Sequence, residues 1–285
     1  MIPHWLRVPS AEEWQHQADD PDFADARNVG LVDAVRAGWY QNATGELFRG
    51  FPIGAQDTVV DIGCGAGGAS IFCAQRAAEL VFCDIDPANI EALGKRMREA
   101  GAHNARGVVT DCNPLPLDSG FASRIIAMEV LEHVADPQII LAELARVGRP
   151  GALYLISVPD GAAEKMQIPF APVEYFRAPN HIRIFEPGEL AQRISDAGLE
   201  VVEQSSYGFF WHMWMCMYWV CDKAVKGIPE AVSQDCTQPP YFPLLDDWTA
   251  VWDKLLQMPD AEPMIRALDQ LLPRSQIIIA RKPEK

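Results

Sequence analysis

The chain has 285 residues, of which 49% are hydrophobic, so it is long enough to bury the core of a full α/β domain. Its 39 acidic and 24 basic side chains give a formal net charge of −15. This balance argues against a long nucleic-acid partner, because affinity for a phosphate backbone depends largely on Lys and Arg.

Cysteine usage and hydropathy predict a cytoplasmic protein without a transmembrane segment. The seven cysteines contain no C-x-x-C pair, which is typical of reduced thiols. The first residues, Met1–Trp5, precede acidic and polar residues rather than an apolar signal core. The longest apolar run, from Gly208 to Cys221, is shorter than the ~20 residues of a membrane-spanning helix.

Strands and helices are predicted to alternate through the middle of the chain. The first 45 residues, with Trp14, Trp39 and Tyr40, are predicted to form helices that precede this region. The predicted strands are 58–62, 80–83, 107–110, 124–128 and 152–158, and the helices between them are 69–78, 88–100 and 137–147. Strands separated by helices in this way indicate a doubly wound parallel sheet.

The C-terminal part adds two more strands, for seven in all. A helix from Glu186 to Ala197 leads into a strand over 199–206, and the last strand covers 275–281. The residues between them, 207–274, are rich in Trp, Met and Pro. We interpret them as a helical insertion between the last two strands of the sheet.

A glycine cluster follows the first predicted strand. The strand contains Asp61, and the turn after it has the spacing Gly63-x-Gly65-x-Gly67. Glycines at such a turn allow the backbone to approach a ligand closely and the next helix to pack near the strand. The spacing differs from the G-x-G-x-x-G of NAD-binding domains.

Acidic residues follow the next two strands. Asp84 ends the second and Asp111 ends the third, and the stretch Arg146–Ala152 precedes the fifth. In this order the features resemble class I S-adenosylmethionine-dependent methyltransferases, in which R-V-L-x-P-G-G is common before the fifth strand. The resemblance covers roughly Phe51–Ser206 and the last strand. It implies a Rossmann-like sheet with S-adenosylmethionine as cofactor.

The resemblance also implies a domain organisation and a role for each matched position. We expect an N-terminal helical segment (1–45), an S-adenosylmethionine-binding core (46–206), a helical lid over the acceptor (207–274) and a final core strand (275–285). Asp84 would accept hydrogen bonds from the ribose, Ile85 would pack on the adenine, and Asp111 would accept from the adenine amino group. Aspartate is also common in turns and helix caps. The expected cofactor-binding residues are Asp61, Gly63, Gly65, Gly67, Asp84, Ile85, Asp111, Cys112 and Glu129.

A possible metal site follows the fourth strand. Glu129, Glu132 and His133 have the spacing i, i+3, i+4, which predicts that they share one face of a helix. Their carboxylates and imidazole suit a divalent ion such as Mg²⁺. The run Met128–Pro137 is similar to that of ubiquinone-biosynthesis O-methyltransferases, and E-x-x-E-H also resembles small-RNA 3′-end 2′-O-methyltransferases. This likeness implies His181 as a further ligand.

Two alternatives to a metal remain open at this group. Glutamates in a first helical turn interact favourably with the helix dipole, and His133 can bond within the core. His133 or His181 can also act as a general base without a metal, so both are candidate catalytic residues.

The aromatic insertion indicates the kind of acceptor. The run Phe209–Val220 is apolar on every helical face, which is typical of a core helix and also of a helix that faces an apolar ligand. We expect O-methylation of a small, apolar, lipid-like or sugar-bearing acceptor. The alternatives are N-methylation of a small amine, which aromatic rings bind through cation–π contacts, and a non-catalytic cofactor-binding partner subunit. The oligomeric state is left open.

Overall fold

A computed structural model describes residues 3–20, 23–230 and 236–284, and the chain forms two compact units. The helical unit comprises Met1–Ala37, Asp160–Ile184 and Ser206–Ser275, and the sheet unit comprises Gly38–Pro159, Phe185–Ser205 and Gln276–Lys285. Residues 160–184 thus group with the helices, although the sequence assigned them to the core. Parts of the predicted segments (1, 2, 21, 22, 231–235 and 285) lie outside the described residues.

The described part of the chain contains ten strands and ten α-helices. The strands are β1 (Trp39–Gln41), β2 (Glu46–Phe48), β3 (Phe51–Pro52), β4 (Thr58–Ile62), β5 (Glu79–Asp84), β6 (Ala105–Val109), β7 (Ala122–Met128), β8 (Gly148–Pro159), β9 (Glu200–Tyr207) and β10 (Ser275–Arg281). The helices are α1 (Ala11–Ala18), α2 (Ala26–Ala37), α3 (Gly68–Ala74), α4 (Pro87–Glu99), α5 (Pro137–Val147), α6 (Gly161–Gln167), α7 (Glu189–Asp196), α8 (Phe209–Lys226), α9 (Pro243–Leu256) and α10 (Glu262–Leu271).

The predicted doubly wound, seven-stranded sheet is confirmed. Its strand order is β6-β5-β4-β7-β8-β10-β9, and β4 to β8 pair in parallel. Buried parallel strands are apolar on both faces, which explains why the sequence revealed β4 so clearly. Apolar side chains from these strands form the core of the sheet unit with α5, α7 and neighbouring loops; among them are Val60, Ile125, Leu141, Tyr154, Ile156 and Phe185.

The prediction of helix around Trp39 and Tyr40 is wrong. These residues belong to β1, which pairs antiparallel with β2 so that Trp39 lies opposite Phe48. The two rings are in contact, with centroids 4.8 Å apart. Gly38, with φ +120°, separates α2 from this strand, because a left-handed residue cannot continue the helix.

The insertion between β9 and β10 is helical, as the sequence predicts. Its first helix, α8, buries Phe210, Trp214 and Trp219 in the core of the helical unit together with Trp252 of α9. Polar groups are paired at the start of α8, where Oδ1 of Asp269 accepts from the Gly208 and Phe209 amides at 3.0 Å each. This carboxylate therefore satisfies amides that the first turn leaves unpaired. No helix within residues 3–20, 23–230 and 236–284 is both long and apolar enough to cross a membrane.

Arg36 of α2 joins the polar contacts around Asp269. Its guanidinium pairs with the second oxygen of Asp269 and, at 3.0 Å, with Asp33. Asp33 is fully buried, and a buried charge needs such a partner. The ion pairs thereby connect α2 to α10 and to the start of α8.

Gly67 and Gly101 form a matched pair for a test of helix packing. Both have positive φ, but a Cβ at Gly67 would overlap Leu93 of α4, whereas a Cβ at Gly101 meets no atom within 4 Å. Gly67→Ala should lower the free energy of unfolding by about 3 kcal/mol, and Gly101→Ala by about 1 kcal/mol. Urea denaturation measures both values. Equal losses would contradict close packing of Leu93 on the turn.

Candidate cofactor site

The glycine turn between β4 and α3 is packed at both ends and open in the middle. Gly63, Gly65 and Gly67 have φ of +65°, +46° and +83°. A Cβ at Gly63 would overlap Val130, whereas the nearest atom to a Cβ at Gly65 is 3.9 Å away. The turn therefore requires glycine for its conformation, and its middle offers room for a ligand beside the backbone.

Asp84 is held rigidly at the end of β5, beside this turn. Its Oδ2 accepts from the Gly65 amide and its Oδ1 accepts from the Asp86 amide, both at 2.9 Å. Each carboxylate oxygen has a second acceptor position, so both can still receive a hydrogen bond from a ligand hydroxyl. Ile85 follows with 71% of its surface exposed, which is an apolar surface next to the carboxylate.

Asp61 lies deeper, on β4, and is almost completely buried. The Ser70 hydroxyl of α3 donates to its Oδ2 at 2.5 Å. Burial raises the pKa of Asp61 to about 7, and the negative charge of Asp84 adds to this shift. The sequence did not point to Ser70, because no motif marks a hydroxyl nine residues after the strand aspartate.

Asp111 and Cys112 follow β6 in a tight turn. Oδ1 of Asp111 accepts from the Asn113 amide at 3.0 Å, and the Cys112 amide donates to the Thr110 hydroxyl at 3.0 Å. Asp111 is exposed and Cys112 is buried with φ +63°. Burial raises the pKa of the thiols of Cys64 and Cys112 to about 12, so both stay protonated and neither serves as a thiolate nucleophile.

The helix predicted over Glu129–His133 is wrong. Glu129 has φ +53°, and only Leu131–His133 forms a short 3-10 helix. Ser157 of β8 explains the geometry at Glu129, because its hydroxyl donates to Oε1 at 2.9 Å and its carbonyl accepts from the Glu129 amide at 3.0 Å. Glu129 therefore faces a neighbouring strand instead of sharing a helix face with Glu132.

The proposed metal ligands are divided between the two units. In the sheet unit, Glu132 is fully buried and its Oε1 lies 3.6 Å from Nε2 of His133. His181 belongs to the helical unit, where its Nδ1 lies 2.6 Å from Oε1 of the buried Glu164. The sequence did not identify Glu164 or Ser157, since neither stands at a motif position.

A family profile described as a methyltransferase domain matches residues 39–204. The chain belongs to this methyltransferase domain family. The match includes β1 to β8 and the first five residues of β9, and hence every strand end described above. The resemblance to class I S-adenosylmethionine-dependent methyltransferases is thus confirmed.

Relatives of this methyltransferase-domain chain share modest identity with it. The ubiquinone biosynthesis O-methyltransferase of Methylobacterium sp. (strain 4-46) is 30% identical over 157 residues, which cover 51% of this chain and 61% of that protein. The protein of the same name from Idiomarina loihiensis is 25% identical over 192 residues, which cover 64% of this chain and 74% of that protein. The match thus spans about three fifths of the length of the first of these relatives.

Solved structures share the fold of this methyltransferase-domain chain. Geranyl diphosphate methyltransferase in complex with SAM has a TM-score of 0.54 at 15% identity, with 98% of this chain and 94% of that chain covered. The [4+2]-cyclase SpnF also has a TM-score of 0.54, at 19% identity, with 91% and 81% covered. Since the second is a cyclase, the fold alone does not determine the chemistry.

The raised pKa of Asp61 predicts a pH-dependent stability. Its pKa is about 7 in the folded chain and near 3.8 ordinarily, so the folded chain binds this proton more tightly than the unfolded chain does. The contribution is full below about pH 4 and is lost as the pH rises through about 7. Asp61→Asn stays neutral, so between pH 4.5 and 8 its unfolding free energy should gain about 3 kcal/mol relative to the unchanged chain.

Urea denaturation across this pH range measures the difference. Asp118→Asn is the matched control, because Asp118 is exposed and its substitution should leave the two curves parallel. Parallel curves for Asp61→Asn would show that Asp61 titrates alike in the folded and unfolded chain.

Proposed function

We propose that this chain transfers a methyl group from S-adenosylmethionine to an oxygen of a small, apolar, lipid-like or sugar-bearing acceptor. The observation that carries the proposal is the hydrogen bond from the Gly65 amide to Asp84, which joins the open glycine turn to the acid at the end of β5. A nucleoside with an amino-acid tail needs both features at one sheet edge: an acceptor for ribose hydroxyls and space beside the backbone.

The residues present fit this cofactor. Asp84 would accept from the ribose, the exposed Ile85 would pack on the adenine, and the open side of Gly65 would take the amino-acid end. Asp111 would accept from the adenine amino group. When bound, S-adenosylmethionine supplies a sulfonium methyl group that an acceptor oxygen attacks. The protein contributes chiefly by positioning the reactants and excluding water.

A cavity in the helical unit supports an apolar acceptor. It has a volume of about 410 Å³ and is lined by Ile168, Val173, Phe176, Ile182, Arg177 and Arg183, among others. Its apolar side chains suit a hydrocarbon or aromatic body. The two guanidinium groups suit an acidic substituent on such a body, because each can donate paired hydrogen bonds to a carboxylate or phosphate.

Two histidines are candidates for the base that takes the acceptor proton. His133 lies beside Glu132, and His181 is hydrogen-bonded to Glu164 and lines the cavity of the helical unit. A carboxylate partner orients an imidazole ring and selects which nitrogen carries the proton. Either residue would hold the hydroxyl proton as oxygen attacks the methyl carbon.

The second proposal for activation of the acceptor hydroxyl is a divalent ion such as Mg²⁺. The carboxylate of Glu132 and the imidazole of His133 are ligands that suit such an ion, and the sequence adds His181 as an expected ligand, whereas Glu129 is bonded to Ser157 instead. A bound ion would lower the pKa of the acceptor hydroxyl.

Asp84→Asn tests the cofactor proposal. The amide cannot accept at both oxygen positions, so affinity for S-adenosylhomocysteine, measured by calorimetry, should fall about 10–100-fold. Asp118→Asn should bind as the unchanged chain does, because Asp118 is exposed and outside the site. Unchanged affinity in Asp84→Asn would remove Asp84 from the site, and no binding to the unchanged chain would end the proposal.

Chelation distinguishes the metal proposal from the proposal of a histidine base without metal. Methyl transfer from labelled S-adenosylmethionine is assayed against a phenol, a fatty alcohol, a glycoside and a primary amine. With a metal, excess EDTA should abolish transfer, Mg²⁺ should restore it, and Glu132→Gln should lower it about 10–100-fold while the exposed Glu174→Gln does not. Full activity in EDTA would contradict the metal proposal.

The choice among the four acceptors tests the kind of methylation. Transfer to the amine alone would replace the proposal of O-methylation with N-methylation. Absence of transfer to all four acceptors would favour a non-catalytic binding subunit.

A further inference from the structure

Tyr40 is held in a strained backbone conformation in the sheet unit. Within the described residues, three non-glycine residues have positive φ: Tyr40 at +51°, Cys112 and Glu129. The latter two follow strand ends at the candidate cofactor site. A left-handed conformation costs such a residue about 1–2 kcal/mol, and strain of this kind concentrates at functional sites. Tyr40 precedes β4 by many residues, so its strain needs its own explanation.

The Tyr40 ring packs on α3, and its hydroxyl lies near the start of this helix, where the glycine turn ends. Its centroid lies 5.9 Å from that of Phe72 on α3 and 6.2 Å from that of Trp39. The hydroxyl lies 3.0 Å from the position that a Cβ would take at Gly68, the first residue of α3. Any side chain at position 68 would displace this hydroxyl, so Gly68 leaves it beside the turn.

The Tyr40 hydroxyl is a hydrogen-bond donor. It has no hydrogen-bond partner among residues 3–20, 23–230 and 236–284. Burial raises the pKa of Tyr40, and the nearby charge of Asp61 raises it further, so the phenol keeps its proton. A strained residue that presents an unused donor beside an open turn is arranged for a ligand rather than for stability.

We propose that the Tyr40 hydroxyl donates a hydrogen bond to the carboxylate at the amino-acid end of the bound cofactor. This inference rests on the proposed cofactor. Asp84 accepts from the ribose, which places the opposite, amino-acid end at the glycine turn. The carboxylate is the strongest acceptor at that end, because the sulfonium and the ammonium accept no hydrogen bond. Tyr40 is therefore a positioning residue that anchors the tail from which the methyl group projects.

Three ligands test this inference by calorimetry. S-adenosylhomocysteine has the carboxylate, decarboxylated S-adenosylmethionine keeps the ammonium but lacks the carboxylate, and 5′-methylthioadenosine lacks the whole tail. Tyr40→Phe keeps the ring and removes one oxygen. It should weaken binding of S-adenosylhomocysteine about 10-fold and leave the affinity for the other two unchanged.

The matched control is Tyr154→Phe, which removes another buried hydroxyl of the sheet unit and should change none of the three affinities. Equal weakening of all three ligands in Tyr40→Phe would mean that the ring only packs the site, and unchanged affinity for all three would mean that the hydroxyl is idle. Either result overturns the inference while the proposed cofactor stands. Failure of the unchanged chain to bind any of the three would overturn both.

Discussion

The hydrogen bond from the Gly65 amide to the carboxylate of Asp84 is the contact on which the candidate site depends. It joins the turn after β4 to the end of β5, and a backbone bond from the Cys64 amide to the Cys83 carbonyl, at 2.9 Å, supports it. A carboxylate at a strand end would otherwise rotate freely in water. Because the turn fixes its orientation, the acceptor oxygens are arranged before any ligand arrives, and binding loses less conformational entropy.

The sheet could be predicted because its signals are local. β4 and β10 have the bounds expected from sequence, since continuous β-branched runs identify buried strands. The glycine turn could be predicted for a similar reason, because a positive φ at Gly63 and Gly67 admits few other residues. In both cases a few neighbouring residues determine the backbone.

Where distant residues determine the backbone, the sequence was a poor guide. The spacing of Glu129, Glu132 and His133 fits a helix face, but Ser157 holds Glu129 in a left-handed conformation from another strand. The sequence predicts a helix at Trp39, whereas its pairing with Phe48 makes it part of a strand. Aromatic residues after a glycine favour such strands, but their partner must be known before the preference can be used.

The insertion between β9 and β10 is closed by hydrogen bonds at its own base. The Ser206 hydroxyl donates to the Asp269 carbonyl at 2.9 Å, and the Arg274 amide donates to the Tyr207 carbonyl at 3.0 Å. The chain between these bonds is a loop whose ends are already joined, so added residues change its closure entropy only slowly with length. The sequence and length of such a segment can therefore change during evolution while the strands on either side keep their register.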